Sequence, residues 1–371
     1  MATGVARADD VTLRLPAPTG PHHVGVTALH LVDEHRADPW PDEVGAPRHL
    51  VATVHYPSRD VRDRPVAPHL TPAVAAVLPH FHQPLPATGV AWGATLTHSR
   101  TDAPALPGRR PVVLYSPGLA DPRALGTTTA EELASRGYVV VSVDHPGETM
   151  AVDVPGRPAP RLFALPGDPS TDPRLYRDVI ATRLADTDLV LDRLERWAAG
   201  GNPDADGRAL PADLGRSLDL RRVGLYGQGL GGTIAAEAMH EDTGRRVDAA
   251  ANLEGFLDYH PERPGQDGEL LPVARHGVDR PLLLLGTEGF QDDRYRRAWS
   301  AVLAHGCARQ HVIADANHWA LTDHAAVVPQ LHAAGLVDDA GRDALVGPID
   351  PAVSVPTVRR HVVSFFDRHL R

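Results

Sequence analysis

Apolar positions along the chain follow two rhythms. "RPVVLYSPG", "YVVVSVDHPG", "RRVGLYG", "VDAAANLEG" (247–255), "RPLLLLG" (280–286) and "RQHVIAD" (309–315) are short runs rich in β-branched residues. Most of them stop at glycine, proline or aspartate, the pattern of strands buried on both faces. Between them the period lengthens. "TTTAEELASRG" places Thr128 and Glu131 at capping-box spacing and ends on Gly137. From 174 to 198, Leu175, Val179, Ile180, Leu184, Leu191, Leu194 and Trp197 share one helical face. A further helix is expected near 356–370. Strand, helix, strand at these spacings requires right-handed crossovers and predicts an α/β protein with a doubly wound, mostly parallel sheet covered on both faces. Ahead of this core, "VTLRLP" and "RHLVATVHYP" read as edge or early strands. The proline-rich stretches 62–111, 152–173 and 258–280 read as loops over a pocket. No repeat or low-complexity tract interrupts the pattern. A single domain over 1–371 is expected, with N-terminal strands and a Pro-rich loop in 1–110 and a catalytic core in 111–371.

Composition narrows the chemistry. In 371 residues, 42% are hydrophobic and 23% charged, enough apolar material for a sizeable core. A net charge of -10 argues against nucleic acid as a partner. The chain contains no lysine, so all 37 basic residues are arginine. Schiff-base and pyridoxal-phosphate mechanisms and the phosphate-loop GK[ST] motif are therefore excluded. The lone Cys307 reads as packing rather than as a nucleophile. "HFH" at 80–82 lacks a third ligand at suitable spacing, so neither a metal nor another cofactor is expected. No 18-residue apolar run exists, and a membrane span is not expected. "MATGVARADD" has no apolar leader, which favours a cytoplasmic protein; the alternative is secretion, with "ARA" before "DD" as the remnant of a removed signal.

"RRVGLYGQGLGGTIAAEAMH" (221–240) is a strand, a glycine turn and a helix, and it admits two chemistries. Gly227, Gly229 and Gly232 satisfy the G-x-G-x-x-G dinucleotide fingerprint, with Glu254 at the end of the following strand as a ribose ligand. Against this, at least two strands precede the motif, whereas the fingerprint normally opens the first βαβ unit. The rival is the nucleophile elbow G-x-S-x-G, which Gly227-Gln228-Gly229-Leu230-Gly231 fits everywhere except at the nucleophile.

With "PVVLYSPGLADPRALGTTTAEELASRGYVVVSVDHPG", "GLYGQGLGG", "NLEGFL", "PLLLLGTEGFQ" and "ADANHWALTD" in this order, the chain resembles the α/β-hydrolases. Within them it resembles the platelet-activating-factor acetylhydrolase-like esterases and lipases of actinobacterial type. "TGPHHVGVTALHLVDEHRADPW" and "VATVHYPS" match that family's N-terminal strands. The resemblance implies Glu254 as catalytic acid, His318 as base and the backbone N–H groups of Leu119 and Leu230 as oxyanion donors. It also implies an ester or other acyl substrate. Where the family carries a serine, this chain has Gly229. The residue types suit these roles independently. Loops after residues 116, 227, 254 and 315 leave one edge of a parallel sheet. An imidazole needs a carboxylate to hold its tautomer, and an oxyanion needs fixed N–H donors. Glu288, in "GTEGF", competes for the acid role; Gln228 and His145, in "VDHPG", are further candidates, His145 reading more readily as structural.

Glycine at the elbow relieves a strain of about 1–3 kcal/mol that a side chain would bear there, and it deletes the attacking oxygen. Three outcomes are compatible with this. The chain is an inactivated esterase, natural or engineered; or a water activated by His318 attacks the ester; or the oxyanion donors and the Glu254–His318 pair serve proton abstraction, elimination or cyclisation. A binding role without catalysis completes the set.

Overall fold

A computed structural model describes residues 10–263 and 265–371. The "ARA" remnant considered above lies outside the described residues. Ten strands form one sheet in the order β12-β11-β10-β9-β5-β6-β2-β1-β4-β3. In chain order these are β1 (His23–Ala37), β2 (Pro47–Ser58), β3 (Val66–Pro68), β4 (Leu96–Thr101), β5 (Arg110–Ser116), β6 (Val139–Asp144), β9 (Leu218–Gln228), β10 (Ala249–Leu253), β11 (Leu282–Thr287) and β12 (Ala308–Ile313). β7 (Ala151–Val152) and β8 (Arg161–Leu162) pair separately. From β6 to β12 all neighbours are parallel, while β2 joins β6 and β1 antiparallel.

The continuous apolar runs are explained by what covers each face. Val112, Leu114, Val139, Val141 and Val143 enter one core together with α3 (Pro173–Ala198) and α5 (Leu230–Glu241). Val113, Tyr115 and Val140 enter the other, with α2 (Thr127–Ser135), α8 (His324–Ala333) and α10 (Pro351–Leu370). Alternate residues point to opposite faces, so a strand clad on both sides needs apolar side chains at every position.

The structure corrects three local expectations. "VTLRLP" forms no strand: Val11 makes one isolated bridge to Val90, and Pro16, Pro18 and Pro21 withhold the donors a ladder needs. The stretch 62–111 is not a loop, since it holds β3, β4, the start of β5 and α1 (Pro72–Phe81). Here proline begins the helix, with Thr71 accepting from Val74 N–H as N-cap. Thr128 and Glu131 form no capping box. The side chain of Asp323 takes both the N–H and the hydroxyl of Thr128, and Glu131 instead accepts from Ser99 and His98. Distant partners have displaced the local ones. Among the described residues no helix is long and apolar enough to cross a membrane.

Candidate active site

β9 ends at Gln228 and α5 begins at Leu230, which leaves Gly229 to make the whole turn, at φ 54° and ψ -126°. The flanking glycines are demanded by packing. A Cβ on Gly227 would stand 2.2 Å from the Gly231 carbonyl carbon, one on Gly231 1.9 Å from Ser116 O, and one on Gly232 2.4 Å from Asn252 Oδ1. Gly229 differs. A Cβ there would meet nothing nearer than His318 Nε2 at 3.5 Å and the Gly118 Cα at 3.7 Å, ordinary contact distances. The turn thus has room for a side chain at the one position where the elbow pattern expects a nucleophile. Gly227 and Gly231 abut neighbouring backbone and Gly232 the Asn252 side chain, so packing accounts for the first and last glycines of the G-x-G-x-x-G spacing without a dinucleotide.

His318 reaches this point from the loop after β12. It opens a short 3₁₀ turn, its N–H held by the Asn317 side chain at 2.8 Å, and its ring stacks on Phe290 with centroids 4.2 Å apart. Its Nδ1 lies 2.7 Å from Glu254 Oε2. Glu254 follows β10 with a left-handed φ of 63°, and its other oxygen accepts from the hydroxyl and N–H of Thr287 on β11. The carboxylate is fully buried and bonded at both oxygens, so it can hold one imidazole orientation. Glu288 stands elsewhere: its carboxylate accepts from Asp315 N–H at 3.1 Å.

Gln228 is the unexpected member. Its amide N–H donates to His318 Nε2 over 2.6 Å, which leaves the Nδ1 proton of a neutral imidazole for Glu254. The base lone pair that a triad would direct at the nucleophile is thereby taken up by an amide. Gln228 is buried and its Oε1 has no hydrogen-bond partner among the described residues.

The N–H of Leu230 is among those an α-helix leaves without an intrahelical acceptor. Across the turn, Leu119 precedes Ala120, whose φ is 66°. Ala120 N–H is bonded to Glu148 O, while Leu119 N–H has no protein acceptor among the described residues. The loop bearing Leu119 is braced from below by Arg183, which is fully buried and donates to Pro117 O at 2.6 Å, Gly118 O at 3.2 Å and Glu148 Oε2 at 2.7 Å.

His145 belongs to this bracing layer. Its Nδ1 is 2.8 Å from Asp186 Oδ2 and its Nε2 3.0 Å from Ser116 Oγ, a Ser–His–Asp array that the sequence reading missed. The array adjoins a cavity of only about 20 Å³, room for a single water and not for an ester. Burial, reinforced by Arg183, lowers the His145 pKa to about 4, against the pull of Asp186. The ring is therefore neutral at pH 7. Ser116, His145 and Asp186 tie the end of β5 to α3. His82, from the "HFH" stretch, bonds Asp121 at 2.9 Å and His324 at 2.7 Å, and no metal-type cluster occurs among the described residues.

Residues 10–154 match the family model of platelet-activating factor acetylhydrolase, isoform II. The match ends before the elbow. A probable 1-alkyl-2-acetylglycerophosphocholine esterase of Arthroderma benhamiae is 25% identical over 389 residues, covering 99% of this chain and 90% of that protein. The solved ferulic acid esterase of Streptomyces cinnamoneus is 31% identical with a TM-score of 0.74, covering 97% of this chain and 93% of the esterase.

Proposed function

This chain belongs to the platelet-activating-factor acetylhydrolase-like esterases of the α/β-hydrolase type, hydrolases of carboxylic esters, and we propose that it retains their acyl-ester site without the covalent step. An ester carbonyl is received over Gly229, its oxygen toward Leu119 N–H and Leu230 N–H. Glu254 orients His318, which stands where it would serve the missing nucleophile. With no hydroxyl at the turn, an acyl-enzyme does not form. Turnover then relies on His318 as general base for direct attack by water, once the Gln228 amide moves off Nε2. The observation that carries this reading is the Glu254–His318 pair, whose Nε2 lies 3.5 Å from the position of the absent Cβ.

The experiment is pre-steady-state hydrolysis of p-nitrophenyl acetate and butyrate by the unmodified protein and by His318→Ala. Slow release without a burst is expected, abolished in the variant. A burst of p-nitrophenol close to one equivalent would show an acyl-enzyme and sink the proposal, as would unchanged hydrolysis in His318→Ala.

A further inference from the structure

The carboxyl ends of the parallel strands carry the candidate active site, and a groove of about 680 Å³ opens at their opposite, amino ends, between the starts of β11 and β12 and the last turns of α10. Two files of residues on α10 face it. Arg360, Ser364 and Arg368 recur every fourth position, and so do His361, Phe365 and His369. β12 adds Arg309 and His311, alternate residues on one face of an edge strand.

The charge here is unbalanced. Arg309, Arg360 and Arg368 are exposed, and none has a carboxylate within ion-pair distance among the described residues. Arg309 donates only to the carbonyls of Gly306 and Ala308, and Arg360 only to Thr357 Oγ1 at 3.5 Å. Other arginines at the surface, such as Arg62, Arg245 and Arg246, are paired with aspartates. The acidic residue lining the groove, Asp279, is already engaged by Arg245 and Arg280. Three arginines without a carboxylate partner among the described residues thus line one concavity in a chain of net charge -10. The helix dipole favours cations in the last turn of α10 and accounts in part for Arg368 and His369; it does not account for Arg309 or Arg360. Burial lowers the pKa of His361, with His311 and Arg360 adding to it, and burial with Arg368 lowers that of His369.

Guanidinium forks match phosphoryl oxygens, two hydrogen bonds at a time. The volume lies within the small-molecule range of about 300–1,000 Å³. We propose that this groove binds a small molecule carrying two or more phosphoryl groups, with Arg309, Arg360 and Arg368 as its ligands. The site is separate from the ester site and stands whether or not the ester reading does.

Tripolyphosphate titrated calorimetrically into the full chain, without divalent metal, tests this. Saturable one-to-one binding is expected. It should weaken roughly tenfold or more in each of Arg360→Gln and Arg368→Gln, since each removes a charge-assisted contact. Arg216→Gln, at a remote exposed arginine, should leave it unchanged. Both groove arginines are exposed, so their replacement does not threaten folding. No binding at 0.1 M salt overturns the proposal, and so does an equal loss in Arg216→Gln. Binding to phosphatidylglycerol vesicles but not to tripolyphosphate would overturn it in favour of a membrane surface, and self-association lost in the groove variants would overturn it in favour of a second copy.

Discussion

Gly229→Ser supplies the hydroxyl that the proposed reading of the turn lacks, and the structure bounds both of its effects. The backbone at 229 already holds φ 54° and ψ -126°, so serine inherits a strained conformation costing about 1–3 kcal/mol of stability. Packing adds little, because the new Cβ meets no atom closer than 3.5 Å. That nearest atom is His318 Nε2, close enough for a hydroxyl on the Cβ to hydrogen-bond with it. Removing a triad serine costs about 10⁶ in kcat, so restoring one to an otherwise competent site should return up to about 10⁶-fold, near 8 kcal/mol in the barrier. The Gln228 amide competes for the same nitrogen and should hold the gain below that ceiling. Steady-state kcat on p-nitrophenyl acetate and butyrate measures the effect, with circular dichroism to show the variant folded. Covalent labelling by an organophosphonate, read by intact mass, should appear only with the serine. A folded variant with neither gain nor labelling would refute the reasoning about this turn.

Three further outcomes follow from the same contacts. In the Gly229→Ser background, Gln228→Met keeps the side-chain volume and frees His318 Nε2, so kcat should rise about 2- to 10-fold, the worth of one hydrogen bond; an unchanged or lower kcat would deny the competition. Arg183→Met leaves two carbonyls of the Leu119 loop unbonded and Glu148 buried with only Arg48, at 3.6 Å, still near it. Urea denaturation should show a loss of about 3–5 kcal/mol, and a loss under 1 kcal/mol would mean the layer is not a brace. Burial lowers the His55 pKa to about 3 and the His145 pKa to about 4. Below the ordinary value near 6.5 the unfolded chain takes up protons that these folded imidazoles refuse, so stability is full above pH 6.5 and falls toward pH 4. Each ring contributes on the order of 3 kcal/mol to that fall, and a urea midpoint flat across this window would contradict it.

Local pattern alone sufficed for the elements that bury apolar side chains on both faces. Central strands such as β6 and β10 admit no polar alternation, and the 174–198 face had one direction in which to pack. The turn at 227–232 was legible from its glycine spacing, although the atoms that crowd Gly231 and Gly232, Ser116 O and Asn252 Oδ1, come from other strands. The order of elbow, Glu254 and His318 on one sheet edge followed from parallel strands. What the sequence did not disclose are partnerships between polar residues far apart in the chain. Asp323 replaced the local cap of α2, and Gln228 turned onto an imidazole ninety residues away. Ser116, His145, Asp186 and Arg183 closed a buried layer beneath the Leu119 loop, and arginines from β12 and α10 met across a groove. Helical and strand periodicity reports which face of an element is apolar, because that depends on neighbours three or four positions off. The partner of a buried carboxylate or guanidinium depends on which other elements the packed fold brings within about 3 Å, and only the tertiary structure specifies that.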